Sequence, residues 1–324
     1  MIKLKVALAC GLTCLCVTAQ AQQEIKFGHI GEPGSLFDRT AQEFAERANE
    51  KLGERAKVSV YGSSQLGGDT ELLKKLKAGA IDLALPSTVM SSQVPLFGLF
   101  EMPYLVKDRA HMTRIREQIV NPTLVPAAEK EGYRIIATWE NGTRHITNSR
   151  HPIVKPDDLK GLKLRVPQGG WRVKMFQAYG ANPSPMAFSE VFAALKTGVM
   201  DAQENPLAQI YPARFYEVQK YLSLTGHVYT PAYVTAGAGW TRLPADVQKA
   251  LTDTAKAMES MTLAIAGDLD DDFLRKLKAA GMQVNQVDKD AFIAASKAIY
   301  SEFSAQIPGG KELIDTALAL GQTP

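Results

Sequence analysis

The sequence alternates short apolar segments with amphipathic ones, and this alternation is the feature that most restricts its fold. Glu24 to Ile30 and Lys57 to Tyr61 are typical of strands, and Leu36 to Leu52 between them has apolar residues at helical spacing. We expect Asp69 to cap a further helix and Ile81 to Leu85 to form a third strand. Strands that alternate with helices predict βαβ units and a mainly parallel sheet whose two faces are covered.

A second block of the same kind follows the first. Residues 23–140 and 145–225 each alternate strand and helix patterns, and polar extended segments join the two blocks. A long helical stretch from Pro244 to about Ala280 dominates the remainder. The sequence therefore predicts two α/β lobes with a cleft between them, where ligands of such folds bind at strand ends. Three distinctive stretches fall at predicted strand ends: Pro86 to Thr88, Arg165 to Gln168 and Glu204 to Pro206.

The N-terminus has the three-part layout of a secretory signal peptide. Lys3 and Lys5 precede an apolar run from Val6 to Val17, and Ala19 and Ala21 supply small residues before a cleavage site. We therefore predict a signal peptide at residues 1–21, cleaved after Ala21, and an exported protein. The apolar run is shorter than the roughly 20 residues that span a bilayer, and no later segment is apolar enough. The mature protein is therefore expected to be soluble.

Cysteine and charge content exclude several classes of function. All three cysteines, Cys10, Cys14 and Cys16, lie in the predicted signal peptide, so the mature chain has no disulfide, thiolate metal site or cysteine nucleophile. A lipid-modified Cys10 or Cys14 is the alternative, but the apolar run continues past both. The formal net charge of +3 is weak evidence for a polyanionic partner, because nucleic-acid binders usually have a concentrated basic face, and no nucleic-acid partner is expected.

The sequence offers no convincing catalytic or metal site. It contains no GxSxG elbow, P-loop or GxGxxG motif, and its five histidines show no paired-ligand spacing. Asp268 and Asp270 to Asp272 lack the glycine and terminal glutamate of a calcium loop and are typical of a solvated helix face. The loop from Gly62 to Gly68 could hold an anion at a helix N-terminus, but we favour a plain turn followed by the Asp69 cap. We expect no metal and no cofactor.

Two arginines near strand ends are better candidates for binding. Arg165 alternates with Leu164 and Val166, so it points to the opposite face of its strand from those two. Arg144 lies where the first block passes into the second. A guanidinium offers a planar pair of donors that matches a carboxylate. A strand-end arginine is also a common structural residue, and at this point both interpretations stay open.

Several longer motifs give the sequence a family resemblance. In chain order they are Gly62-Ser-Ser-Gln-Leu-Gly-Gly68, Phe100-Glu-Met-Pro-Tyr104, Lys160-Gly-Leu-Lys-Leu-Arg-Val-Pro167, Asn182-Pro-Ser-Pro-Met-Ala-Phe-Ser-Glu-Val-Phe192, Gln203-Glu-Asn-Pro206 and Phe215-Tyr-Glu-Val-Gln-Lys220. Together they resemble the periplasmic solute receptors of TRAP transporters, of the DctP type. The likeness covers essentially the whole mature chain.

The resemblance implies a fold, a function and a set of ligand contacts. It implies a two-lobed periplasmic-binding-protein fold of the α/β class, each lobe a mixed sheet flanked by helices, with a ligand cleft between the lobes and a long hinge-spanning helix. Such a receptor is not an enzyme: it closes over an organic acid and delivers it to a membrane permease. By the family motifs, Arg165 pairs with the ligand carboxylate, Arg144 assists, Asn205 contacts the ligand and Phe188 lines the site.

Four further residues are included among the predicted ligand contacts. Ser87 falls where sialic-acid-binding members carry a glutamate, which argues against that substrate. Trp171 either faces the cleft, where it would favour a small acid, or packs on the second lobe. Asp69 either caps its helix or also contacts a ligand hydroxyl, and Gln168 completes the strand-end stretch.

The predicted organisation places residues 22–142 and about 231–270 in lobe I, and residues 143–230 and about 271–324 in lobe II. The expected ligand is a small hydroxy or sugar acid or a C4-dicarboxylate, bound by a soluble periplasmic monomer that serves TRAP permease subunits. One alternative is a receptor that senses its ligand for a membrane signalling protein. Another is an exported α/β hydrolase or lyase, for which the sequence offers no nucleophile or base.

Overall fold

The protein is described by a computed structural model that covers residues 22–322. The predicted signal peptide therefore lies outside the described residues. Within them, one mixed sheet contains the strands β1 (Gln23–Gly28), β2 (Ala56–Tyr61), β3 (Leu83–Ala84), β4 (Arg134–Asn148), β5 (Lys163–Val166), β6 (Asn182–Pro185), β7 (Ala202–Pro206), β8 (Tyr221–Ala236) and β9 (Gln283–Asn285).

Helices cover this sheet. They are α1 (Leu36–Leu52), α2 (Asp69–Ala78), α3 (Arg109–Ile115), α4 (Val125–Lys130), α5 (Gly170–Ala178), α6 (Val191–Lys196), α7 (Leu207–Ile210), α8 (Ala245–Ala257), α9 (Glu259–Ala279), α10 (Lys289–Ala295), α11 (Lys297–Gln306) and α12 (Gly310–Leu320). A π-helical segment, Arg116–Leu124, joins α3 to α4. The predicted α/β class, with a sheet flanked by helices, is confirmed.

Two long strands connect the two halves of the sheet. The strand order is β2-β1-β3-β8-β4-β7-β5-β6, with β9 beside β8. Pairing is parallel among β1, β2 and β3 and again among β5, β6 and β7, as the alternating pattern predicts. The central strands β4 and β8, of 15 and 16 residues, run antiparallel to each other through both halves. β4 contains the polar stretch, Asn141 to Arg144, that separates the two predicted blocks.

The strand β4 is longer than its sequence pattern indicates. The sequence predicts two strands, Tyr133 to Trp139 and His145 to Thr147. In the structure one continuous strand spans both of them. The register with β8 shifts between Glu140 and Gly142, where Gly142 has a φ of 120°. A bulge of this kind disturbs the local pairing without ending the strand.

Each half of the sheet packs on its own helices. In the first half, Ser35 caps α1 by accepting a hydrogen bond from the amide of Asp38. The buried face of α1 brings Phe44 to within 5.5 Å of Phe27 and 5.7 Å of Trp139, measured between ring centroids. These edge-to-face contacts join α1, β1 and the crossing strand β4 in one core.

The long C-terminal helix of the prediction is two helices in the structure. The helix is interrupted at Met258, between α8 and α9, where ψ is −9°. The 21-residue α9 contacts α1, β4 and α7, so it touches elements of both halves. Further along the chain, α12 packs against α3 and Pro95–Glu101, although its residues belong to the predicted lobe II. The lobe boundaries stay a prediction.

The helix predicted from Ala110 to about Glu131 is interrupted by the π-helical segment. Pro122 lies inside that segment and has no amide hydrogen, so one ordinary intrahelical bond cannot form. The wider register of a π-helix accommodates the missing donor. Among the described residues, none of the helices is both long and apolar enough to cross a membrane.

Candidate functional site

Six of the eight predicted site residues line one cavity where the two halves of the sheet meet. This inner cavity has a volume of about 30 Å³ and is lined by Asp69, Ser87, Arg144, Arg165, Phe188 and Asn205, among others. A wider space of about 400 Å³, the outer cleft, shares Asp69, Arg165 and Phe188 with it and also reaches Gln168. The residues that the sequence places at strand ends therefore converge, although the chain separates them by more than a hundred positions.

Arg165 lies on β5 and is 3% exposed. Its Nε and Nη2 both donate to the carbonyl oxygen of Met186, at 3.0 and 2.6 Å, and its guanidinium lies 5.9 Å from the ring centroid of Phe188. In residues 22–322, no carboxylate oxygen lies within 4.0 Å of this guanidinium. Burial lowers the pKa of Arg165 to about 9, which still leaves it charged at neutral pH. Arg165 is thus a buried cation without an ion-pair partner in the described chain.

Arg144 is in a different situation because it is paired with Glu204. Its Nε donates to Oε2 of Glu204 at 2.5 Å, and its Nη2 donates to Oε1 at 3.0 Å. The same Nη2 also reaches Oδ1 of Asn205 at 3.0 Å. This fork-to-fork geometry is the arrangement in which a guanidinium binds a carboxylate most strongly. Arg144 lines the inner cavity, but its bidentate partner is a protein carboxylate.

Glu204 is the centre of a buried charge cluster that the sequence did not reveal. Arg172 bridges Glu204 and Glu101, at 2.7 and 3.0 Å, and Nε2 of His227 lies 3.0 Å from Glu204. We call Glu101, Arg144, Arg172, Glu204 and His227 the Glu204 cluster; all of them are at most 2% exposed. Glu101 and Glu204 lie within motifs that carry the family resemblance, which is the feature of the sequence that points to these two residues.

The ionisation of the Glu204 cluster follows from its contacts. Burial alone would raise the pKa of Glu204, but Arg144 and Arg172 outweigh burial and hold that pKa well below its ordinary value. Burial lowers the pKa of His227 to about 4, so His227 is neutral at pH 7. Its Nδ1 faces the hydroxyl of Thr225 at 2.7 Å, which leaves Nε2 to donate to Glu204. Burial raises the pKa of Glu101, against the opposing charge of Arg172. Arg165 is a further positive charge beside this cluster.

Asp69 occupies the first position of α2, and the cap is Gly68. The predicted side-chain cap is therefore wrong: the Asp69 carboxylate does not bond to the helix amides. Its Oδ1 is shielded from solvent and has no hydrogen-bond partner. Burial raises the pKa of Asp69 to about 7, against the opposing charges of Arg165 and Arg144.

Three other predicted residues contribute to the walls of the inner cavity. The hydroxyl of Ser87 donates to the carbonyl oxygen of Pro231 at 2.6 Å. Asn205 lies within β7, which extends through Pro206, whereas the sequence predicts that this strand ends before Glu204. The Nδ2 of Asn205 donates to Gln203 at 2.7 Å. Phe188 packs edge-on against Phe215 at 5.8 Å and closes the apolar side.

The last two predicted residues lie outside the inner cavity. Gln168 accepts a hydrogen bond from the hydroxyl of Thr70, so α2 of the first half contacts the loop after β5 of the second half across the outer cleft. Trp171 is 8% exposed and packs edge-on against Phe303 at 5.3 Å, close to Gly98. Trp171 lines neither the inner cavity nor the outer cleft, so the packing alternative describes its position.

A second, partly buried charge cluster lies where α3, β4, β8 and α9 meet. Arg109 donates to Glu140 at 3.2 Å and to Asp270 at 2.5 Å, and the hydroxyl of Tyr229 donates to the other oxygen of Glu140. We call these four residues the Glu140 cluster. Burial raises the pKa of Glu140 to about 7, more than Tyr229 and Arg109 lower it. Among the described residues, no group of three or more histidines, cysteines or acids could hold a metal ion.

Comparisons with known proteins agree with this architecture. The family model described as DctP, bacterial extracellular solute-binding protein, family 7, matches residues 27–306. The 2,3-diketo-L-gulonate-binding periplasmic protein YiaO of Escherichia coli is 31% identical over 94% of each chain. A TRAP periplasmic solute-binding protein from Polaromonas sp., bound to D-erythronate, is 32% identical with a TM-score of 0.88 over 92% of this chain and 99% of that one.

A further solved relative shows the chemical range of the family. A TRAP periplasmic solute-binding protein from Sulfurospirillum deleyianum, with bound succinate, is 31% identical with a TM-score of 0.88 over 93% of this chain and 99% of that one. The predicted resemblance, the two-lobed binding-protein fold and the expectation of a receptor instead of an enzyme are thereby confirmed. The chain belongs to the DctP family of bacterial extracellular solute-binding proteins.

Proposed function

We propose that this protein is the periplasmic receptor of a TRAP transporter and that it binds a small organic acid through a carboxylate–Arg165 ion pair. One observation carries the proposal: Arg165 is buried and charged, and it lines both the inner cavity and the outer cleft without a protein carboxylate within ion-pair distance in the described chain. An isolated buried charge costs several kcal/mol. An anionic ligand offsets that cost, and the site therefore favours an anion over a neutral solute.

The donors that remain on the two arginines support the same conclusion. In both Arg144 and Arg165 the hydrogen bonds to protein acceptors use Nε and Nη2, and within residues 22–322 neither Nη1 has such an acceptor. Each Nη1 carries two N–H donors. A ligand carboxylate in the inner cavity would accept from Arg165 and from Arg144, while Asn205 holds Arg144 in place from the other side.

The size of the inner cavity indicates that binding includes movement of the lobes. A volume of about 30 Å³ has room for roughly one water molecule. An acid with four or more carbons is larger, so the cleft has to open to admit it and then close on it. Because α2 and the loop after β5 contact each other through Thr70 and Gln168, the two walls can separate at this contact. The ligand then shifts the population toward the closed form by contacting both halves.

The relatives support the ligand class and the cellular role. One is named for 2,3-diketo-L-gulonate, and solved relatives hold D-erythronate and succinate, all of which are organic acids. We propose that this receptor likewise delivers its acid to the membrane permease subunits of a TRAP transporter. The predicted signal peptide, cleaved after Ala21, would place it in the periplasm, and we expect it to act there as a monomer without a cofactor.

The ligand is identified first by a thermal-shift screen against an organic-acid library. A ligand at 100 times its Kd stabilises the folded protein by about 2.7 kcal/mol, which raises the unfolding temperature measurably. Stabilisation by acids, and not by the corresponding amides or alcohols, is the expected result.

Replacing Arg165 then tests the proposed ion pair. We expect Arg165→Lys to lower the affinity for the best acid at least about tenfold, or about 1.4 kcal/mol, because lysine keeps the charge but lacks the planar fork. Isothermal titration calorimetry measures the change. Arg214→Lys is the matched control, since the Arg214 side chain is 67% exposed and pairs with Glu217 at the surface. Unchanged affinity in Arg165→Lys would remove Arg165 from the site.

A further inference from the structure

The inner cavity contains a group of oxygens without hydrogen-bond partners. Oδ1 of Asp69, Oγ1 of Thr88, Oδ1 of Asn141 and Oε1 of Gln209 are all shielded from solvent and unpartnered, and all four residues line this cavity. Buried side-chain oxygens are ordinarily hydrogen-bonded, so several unpartnered ones around one small space indicate that a ligand supplies the missing donors.

The orientation of Asn141 is determined by its neighbours. Ser87 donates its single hydroxyl proton to Pro231, so its oxygen can only accept from Asn141. The Nδ2 of Asn141 accordingly donates to Ser87 and to Thr230, at 3.0 Å in each case. Both donors of the amide are thereby used within the protein, and its oxygen is the group left for a ligand. Asn141 therefore presents an acceptor to the inner cavity.

The remaining unpartnered oxygens are of the same character. Gln209 is 3% exposed and lies on α7, directly after the strand that carries Glu204 and Asn205. Its Oε1 is an acceptor, Asp69 accepts in its ionised form, and the Thr88 hydroxyl can accept as well as donate. The cavity thus has two chemically different sides: guanidinium donors from Arg144 and Arg165, and a set of oxygen acceptors.

We propose that the site selects carboxylic acids whose carbon chain carries hydroxyl groups, and that Asp69, Thr88, Asn141 and Gln209 accept hydrogen bonds from those hydroxyls. This rests on the proposed function, because the guanidinium side must first hold the carboxylate. A hydroxyl group supplies the donor that each oxygen lacks. A plain dicarboxylic acid such as succinate has no hydroxyl donor. Its second carboxylate would place acceptor oxygens next to the unpartnered oxygens of the protein. Sites built to bond a substrate hydroxyl discriminate strongly against the analogue that lacks it.

Matched pairs of acids test the selectivity in the wild-type protein. D-erythronate and butyrate have the same carbon number and a single carboxylate but differ in three hydroxyls, and D-galactonate and hexanoate form a longer pair. By calorimetry, we expect the better hydroxylated acid to bind at least about 100-fold more tightly than its deoxy partner and at least about tenfold more tightly than succinate.

Variants assign the selectivity to the oxygens. Thr88→Val and Gln209→Met each remove an unpartnered oxygen with little change of volume, and we expect each to lower the affinity for the hydroxylated acid about tenfold. Affinity for the deoxy acid and for succinate should change less than about twofold. Thr138→Val is the matched control, because the Thr138 hydroxyl is also buried and unpartnered but does not line the cavity. Two variants are used so that a folding defect in one leaves the other informative.

The outcomes separate the inference from the proposed function. Succinate or a deoxy acid binding as tightly as its hydroxylated counterpart, with a loss in Arg165→Lys, overturns the hydroxyl selectivity and leaves the carboxylate receptor intact. Equal losses in Thr88→Val and Thr138→Val overturn the assigned role of Thr88. If no carboxylic acid in the library binds, the proposed function fails and the selectivity fails with it.

Discussion

The Glu204 and Glu140 clusters are both built from arginine and carboxylate, yet the pKa values of their central carboxylates, Glu204 and Glu140, shift in opposite directions. Two guanidiniums and a neutral histidine surround Glu204, and its pKa is held well below the ordinary value. Glu140 shares its single arginine with Asp270, and burial raises its pKa to about 7. The number of cations for each carboxylate, and not burial as such, separates the two.

The difference also distinguishes two kinds of position in the fold. The Glu204 cluster adjoins the inner cavity through Arg144, whose guanidinium is held by its bonds to Glu204. The Glu140 cluster joins α3, the crossing strands and α9, and none of its four residues lines the inner cavity. A carboxyl group that is about half protonated at pH 7 suffices there, because its role is to bond Tyr229 and Arg109 and not to balance a second cation.

The strongest way to break this comparison is Glu204→Gln. We expect it to lower the free energy of unfolding by about 3–5 kcal/mol, because Arg144 and Arg172 lose the carboxylate that they share in a fully buried site. Urea unfolding at pH 7 measures the loss. The surface variant Glu217→Gln, which breaks the exposed pair with Arg214, should cost less than about 1 kcal/mol. A loss below about 1 kcal/mol in Glu204→Gln would show that the cluster does not depend on its central charge.

Glu140→Gln tests the other half of the comparison through pH. The pKa of Glu140 is about 7 in the folded protein and near 4.5 when the chain is unfolded, so the folded state holds a proton that the unfolded state releases between these values. Stability from this group is therefore present below pH 4.5 and is lost as pH rises to 7. Glutamine imitates the protonated acid and does not titrate. Relative to wild type, the variant should gain up to about 3 kcal/mol between pH 4.5 and 7.5.

The contrast between variant and wild type isolates Glu140 from other titrating groups. Asp69, whose pKa is also raised to about 7, contributes a trend of the same sign to both proteins and cancels in the difference. Glu204 contributes the opposite trend, since its lowered pKa gives stability that is present above pH 4.5 and lost as the pH falls. A difference that stays flat from pH 4.5 to 7.5 contradicts the raised pKa.

Much of the fold could be predicted because it depends on local periodicity. The parallel strands β1, β2 and β5 and the amphipathic helix α1 each occupy the predicted part of the chain. The errors fall where a local pattern is interrupted: at the Gly142 bulge in β4, at Pro122 in the π-helical segment and at the Met258 break. At these points, register and packing with distant segments decide the backbone path, and a single sequence window does not contain them.

The site shows the same division. Alternation along β5 gave the direction of Arg165, and strand ends indicated which segments converge on the cavity. The partners of each charge could not be read in this way. Glu101, Arg172 and Glu204 are far apart in the sequence. Only the folded protein shows that Glu204 forms an ion pair with Arg144, and that no protein carboxylate in the described chain pairs with Arg165. Trp171 is similar: its packing depends on Phe303, which belongs to a distant helix.

Asp270→Asn is the mildest change and sharpens the comparison from within the Glu140 cluster. Arg109 and Asp270 are 34% and 28% exposed, so their pair is partly solvated and its loss should cost less than about 1 kcal/mol. The charge of Asp270 also raises the pKa of Glu140, and the variant leaves Arg109 to Glu140 alone. The Glu140 pKa should therefore fall, and the loss of stability between pH 4.5 and 7 should become shallower than in wild type. An unchanged or steeper slope would mean that sharing of Arg109 does not set the pKa, and that the ratio of cations to carboxylates is not what separates this cluster from that of Glu204.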